Sequence, residues 1–166
     1  MKTKASAICS ITASGVLCVT ALLLGASPSA RAGATIFTTA NFCHSSAPSY
    51  VPDIFYAVMA TINIHPTDDR WVSCPIPRTP LDAGAQVGHF YVDGDNLHGG
   101  TTSCSVMSYD YIGRYLGSRQ FTTTAQTYDM WVEFPASLLP QWAYTTLFCT
   151  FPANWSGQIR GFASFQ

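Results

Sequence analysis

The chain reads as an all-β protein, a two-sheet antiparallel β-sandwich of about nine strands, jelly-roll or Ig-like, carrying two disulfides. Three observations predict this. Runs rich in Val, Ile, Thr, Tyr, Phe and Trp recur along the chain, separated by Pro, Gly, Asp and Asn clusters, and no 3.6-residue apolar period is sustained. Several runs alternate apolar with polar residues, as a strand with one buried face requires. Four cysteines, Cys43, Cys74, Cys104 and Cys149, are spread along these runs, an even number suited to an exported chain.

Export is predicted by residues 1–32. Met1 to Lys4 form a basic start, Ala5 to Ala26 are almost wholly apolar or small, and Ala30-Arg31-Ala32 offers a small-x-small cleavage site before Gly33. The alternative is an uncleaved anchor, since the apolar run is just long enough to cross a bilayer core of about 30 Å as a helix. Ser6, Ser10, Thr12, Ser14 and Gly15 weaken that span, and its strongly apolar part, Val16 to Leu24, has signal-core length. A lipidated cysteine would stand at the cleavage point, whereas Cys18 lies inside the apolar core and Cys9 before it. Residues 33–166 are therefore expected to form a single secreted domain, extracellular or periplasmic, with no membrane span after signal cleavage.

Beyond the leader there is no lysine. Arg70, Arg78, Arg114, Arg119 and Arg160 face eight aspartates and Glu133, for a net charge of −4. With no basic stripe to neutralise phosphates, nucleic acid is not an expected partner.

Strands are expected at 34–40, 54–64, 70–76, 86–93, 102–110, 119–126, 128–134, 142–151 and 157–165. The segment Asp53 to Ile64 has the length of a short helix, but its β-branched and aromatic content favours a strand. Alternation places Val72, Cys74 and Ile76 on one face, Cys104 with Val106, and Leu147 with Cys149 and Phe151. Three of the four cysteines thus fall on apolar faces. Of three possible pairings, Cys43–Cys74 with Cys104–Cys149 is expected because each joins residues from comparable strand contexts. No two cysteines form a C-x2-C pair, which argues against a zinc site. Pro75, Pro77 and Pro80 end an edge strand more easily than they continue a barrel wall, which favours a sandwich over a closed barrel.

The motifs V-S-C-P from Val72, F-Y-V-D from Phe90, C-S-V-M-S-Y-D-Y-I-G from Cys104 and L-F-C-T-F-P from Leu147 occur in an order that resembles a group of small secreted bacterial disulfide-containing β-sandwich proteins. The resemblance implies the fold and export. It carries over no catalytic residue.

Candidate chemistry centres on Asp129-Met130-Trp131-Val132-Glu133-Phe134. With Met130, Val132 and Phe134 on the core face, Trp131 points outward between Asp129 and Glu133. An outward indole beside carboxylates can stack on the apolar face of a pyranose while the acidic oxygens accept its hydroxyl protons. Trp71, Tyr91 and Tyr144 also point away from the core, and an aromatic patch results if their strands are neighbours. The alternative is that the rings only cover a sheet face or pair across strands. In His89 to His98, two imidazoles with Asp93 and Asp95 make a divalent cation sterically conceivable, but Asp-Gly and Asp-Asn are what turns require, and a solvated hairpin loop is the favoured reading. No metal or other cofactor is expected. There is no G-x-S-x-G elbow or H-E-x-x-H pair, and Asp129 and Glu133 lie about 13 Å apart along a strand, too far for a retaining glycosidase pair. The expected function is a secreted, non-enzymatic module that binds carbohydrate or a surface. A structural or interaction protein with a cell-surface or envelope partner is the alternative, and a small secreted hydrolase a more distant one.

Overall fold

The computed structural model describes residues 36–78, 81 and 84–165. The expected signal, residues 1–32, lies outside the described residues. The strands are β1 (Ile36–Thr39), β2 (His44–Ser45), β3 (Ile54–Tyr56), β4 (Thr61–Asn63), β5 (Arg70–Ile76), β6 (Val87–Asn96), β7 (Thr102–Tyr109), β8 (Tyr115–Thr123), β9 (Thr127–Pro135), β10 (Tyr144–Phe151) and β11 (Gly157–Phe165). They form two antiparallel sheets. One runs β3-β4-β11-β6-β9 with β1 also paired to β11; the other runs β2-β5-β10-β7-β8. Strands β4 to β11 distribute as 4-11-6-9 in one sheet and 5-10-7-8 in the other, the arrangement of an eight-stranded jelly roll, so the Ig-like alternative falls away.

The alternation read from the sequence holds the layers together. Val72, Cys74 and Ile76 of β5, Val106 of β7, and Leu147, Cys149 and Phe151 of β10 are buried against Phe90 and Val92 of β6, Phe134 of β9, and Ile159 and Phe162 of β11. Both disulfides, Cys43–Cys74 and Cys104–Cys149, are part of this core. Cys104 and Cys149 stand directly opposite each other on the neighbouring strands β7 and β10. Cys43 follows a single helical turn (Ala40–Phe42) and ties the N-terminal segment to β5. Among the described residues no helix is long and apolar enough to cross a membrane.

Three expectations are corrected. The single strand at 54–64 is a hairpin, β3 and β4, closed by the Ala57 N–H donating to the Ala60 carbonyl at 2.8 Å. Its tip carries Val58 with 86% of its surface exposed, an apolar residue where a turn residue would be expected. The strand expected at 119–126 runs instead from Tyr115 to Thr123. Asp93 to Asn96, read as the start of a loop, continues β6. Gly94 has no room for a side chain there, because a Cβ would lie 2.2 Å from the Gln158 carbonyl oxygen and 2.3 Å from the Tyr128 hydroxyl. Buried Asn96 donates to the Thr123 carbonyl at 2.9 Å and accepts from the Thr102 hydroxyl at 2.6 Å.

The S-Y-D-x-x-G motif makes the turn from β7 to β8. The Asp110 carboxylate accepts from the backbone N–H groups of Ile112 (3.0 Å) and Arg114 (2.8 Å) and from Arg114 Nε (2.7 Å), while Gly113 adopts a left-handed φ of 85°. Burial works against ionisation of Asp110, but these bonds outweigh it and hold its pKa below the ordinary carboxylate value.

Candidate functional site

The outer face of the six-stranded sheet is built in ranks set by strand register. Phe37 of β1, Ala163 of β11, Tyr91 of β6 and Trp131 of β9 stand in one rank. Thr39, Gly161, Asp93 and Asp129 form the next, and Phe165, His89 and Glu133 lie on the other side. Large side chains on β1 and β6 thus flank small ones, Gly161 and Ala163, on β11. The result is a groove of about 500 Å³ lined by Phe37, Tyr91, Asp93, Asp129, Ala163 and Phe165. It continues into a hollow of about 430 Å³ that shares Phe37, Asp93 and Asp129 and reaches Met59 and Arg160.

The rings are arranged unlike a flat platform. His89 stacks on Trp131 (5.1 Å, 15°) and on Phe165 (4.8 Å, 11°), and Tyr91 stacks on the same two partners at 6.3 Å and 5.0 Å. Rings stacked in this way stand on the sheet, cover one another's faces and turn their edges to solvent. The end members, Trp131 beside the sheet edge and Phe165 beside the groove, each keep one face free of this stack. Trp131 is 52% exposed, consistent with the outward orientation that alternation predicts.

The carboxylates fall into two settings. Asp93 stands directly across from Asp129, both outward-facing. Burial, with repulsion from Asp129 and a hydrogen bond that the protonated Asp93 carboxyl donates to Asp129, raises the Asp93 pKa above the usual value, only partly opposed by Arg160. Asp95, two residues further along β6, is buried beneath Arg160 and accepts hydrogen bonds from Gln158, Arg160 and, at 3.0 Å, the Thr127 hydroxyl. Burial opposes its charge, but those bonds prevail and lower its pKa. Among the described residues no three His, Cys, Asp or Glu side chains are grouped to hold a metal ion.

The structure therefore brings together Trp131, Asp129 and Tyr91, with Glu133 one rank away beside His89. It does not bring Trp71 or Tyr144 to them. Trp71 on β5 and Tyr144 on β10 lie on the other sheet, where Trp71 packs edge-on to Phe148 and Tyr144 stacks on Tyr109 at 5.3 Å. Phe37, Phe165 and the small floor residues were not singled out from the sequence. Alternation puts Gly161, Ala163 and Phe165 on one face of a strand, but nothing local says which strands flank it.

No protein-family model matches the sequence, and no curated protein is similar to it. Among solved structures, the C-terminal CBM6 of LamC, a laminarinase of Zobellia galactanivorans, superposes with a TM-score of 0.50 at 9% identity over 80% of this chain and 100% of that one. The family 11 carbohydrate-binding module of Lic26A-Cel5E of Clostridium thermocellum gives 0.38 at 9% identity, covering 81% and 86%. TmCBM61, solved in complex with β-1,4-galactotriose, gives 0.39 at 11% identity, covering 80% and 88%. At 9% identity the first of these likenesses shows the β-sandwich fold and nothing further.

Proposed function

We propose that the protein is a secreted, non-enzymatic carbohydrate-binding module whose ligand lies along the groove of the six-stranded sheet. The observation that carries this is the groove's construction: a floor of Ala163, continued by Gly161 in the adjoining hollow, between the rings of Phe37 and of Tyr91 and Phe165, closed at one end by Asp93 and Asp129. Apolar walls suit the C–H faces of a sugar ring, and the carboxylates suit its hydroxyls. Export is supported by the two disulfides, which persist in oxidising compartments. The three carboxylates of this face disfavour an acidic polysaccharide, so the ligand is neutral or basic.

The test is a binding screen across neutral and charged polysaccharides, repeated with Trp131→Ala and Phe37→Ala. Each variant is expected to lose about 1–3 kcal/mol of binding without unfolding. Loss in Phe37→Ala alone would seat the sugar in the groove and free the sheet edge of a role; undiminished binding in both would sink the reading. A second reading, contact with an envelope partner or a further copy, is favoured by the exposed Tyr111, Ile112 and Trp142 beside the five-stranded sheet. Sedimentation at rising concentration tests self-assembly, and a species that stays monomeric counts against it.

A further inference from the structure

The outer face of the five-stranded sheet holds a separate hollow of about 210 Å³. Its floor is β7, with Ser103, Ser105 and Met107 pointing outward; Gln120 and Thr122 of β8 rise on one side, Phe148 and Thr150 of β10 on the other. Register sets Ser105 between Gln120 and Phe148, and Ser103 between Thr122 and Thr150. The Ser103 and Thr122 hydroxyls share a hydrogen bond of 3.0 Å. Ser105 is only 7% exposed and its Oγ has no hydrogen-bond partner.

A hydroxyl buried without a partner costs about 1–3 kcal/mol, a cost that alanine at the same position would avoid. Ser105 belongs to the floor of a hollow whose lining is distinctive, and its unsatisfied Oγ is covered by neighbouring atoms, so a χ1 rotation is needed to present it to the hollow. Among the described residues no titratable side chain lines it; the polar groups they supply are four hydroxyls and one amide, which can donate and accept. The apolar wall is the Phe148 ring, braced edge-on by Trp71 at 5.7 Å and 70°. Sites for drug-sized ligands span about 300–1,000 Å³, so this one is limited to a single small ring.

We propose that this hollow is a second glycan subsite, independent of the groove, that accepts one neutral pyranose, a ring hydroxyl of which bonds Ser105 Oγ once that side chain rotates toward the hollow. Uncharged donors and acceptors match sugar hydroxyls and reject ions, while Phe148 covers a C–H face. Together with a ligand in the groove on the opposite sheet, it makes the molecule a bridge between two saccharide chains.

The test uses the oxidised protein expressed from the full sequence, titrated into the millimolar range with methyl glycosides of glucose, galactose, mannose and xylose and followed by amide NMR shifts. Saturating shifts at residues 103–107, 120–122 and 148–150 with at least one glycoside are expected. Ser105→Val should abolish them, and Gln120→Ala, at an exposed position that tolerates truncation, should weaken them about tenfold, the effect of losing one good hydrogen bond. Trp131→Ala should leave them unchanged, which separates this site's failure from the groove's. Absence of saturating shifts there with all four glycosides, or shifts untouched by both Ser105→Val and Gln120→Ala, would overturn the proposal.

Discussion

The two outer faces of the sandwich solve the same covering problem in different chemistry. The six-stranded sheet carries Asp93, Asp129 and Glu133 beside a stack of four rings, with small residues left as a trough. The five-stranded sheet carries serine, threonine and glutamine around Phe148, with Tyr109 and Tyr144 stacked further along. One face is charged and open, the other uncharged and finely pitted. A common aromatic content therefore does not imply a common site. Aromatic residues support either face, and it is their small and polar neighbours that shape the hollows.

The largest way to break this contrast is to remove the brace under the uncharged face. Replacing Cys104 and Cys149 together by Ser should cost about 4 kcal/mol, given the 45-residue separation closed by the bond, measurable by urea unfolding. If the groove on the other sheet then retains its affinity under native conditions while the Ser105 shifts broaden, the faces are separable; equal loss on both would join them. Next in size is Asp95→Ala, which leaves Gln158 and Thr127 without their acceptor and should cost about 1–3 kcal/mol at neutral pH. Because the folded pKa of Asp95 lies below the ordinary 3.8, its contribution is complete above that value and is lost as pH falls through the folded pKa. The variant's deficit should therefore shrink in acid, and a deficit constant with pH would refute the role given to its charge.

The smallest effect has the opposite sign. Asp93 faces Asp129, and its folded pKa is raised above 3.8, so stability falls as pH rises from the unfolded value through the folded one. Asp93→Asn should stabilise the protein at neutral pH by about 0.2–1 kcal/mol, the scale of a like-charge cross-strand pair, and should gain nothing well below pH 3.8. Thermal melts at both pH values check this. A loss of stability at neutral pH would mean that the pair is held by something other than repulsion.

Much of the fold was legible because alternation is a local signal. Residues 70–76 and 157–165 were placed at their observed bounds, and the buried face of β5 and β10 followed from spacing alone. The hairpin inside 54–64 was hidden because Ala57 to Ala60 contain no Gly, Pro, Asn or Asp to announce a turn. The run Asp93-Gly94-Asp95-Asn96 misled in the other direction. Its turn-forming residues are satisfied inside a strand by Arg160, Thr102 and Thr127, partners contributed by other strands. The candidate site was half legible for the same reason. Orientation of Trp131 and Tyr91 is a property of their own strands, but the pairing of Asp93 with Asp129, and the removal of Trp71 and Tyr144 to the opposite sheet, depend on which strands become neighbours.

Strand β1 gives the groove a mechanical character. It meets β11 with Ile36 opposite Ser164, so residues 36 and 165 sit at the same end of that antiparallel ladder. A pull applied between those two points works on the ladder as on a zipper, one pair at a time rather than all in shear. Traction can peel the chain from residue 36 only until it meets the Cys43–Cys74 bond. The short segment that gives way first is the one that carries Phe37, so load between residues 36 and 165 would open the groove before the sandwich itself begins to yield.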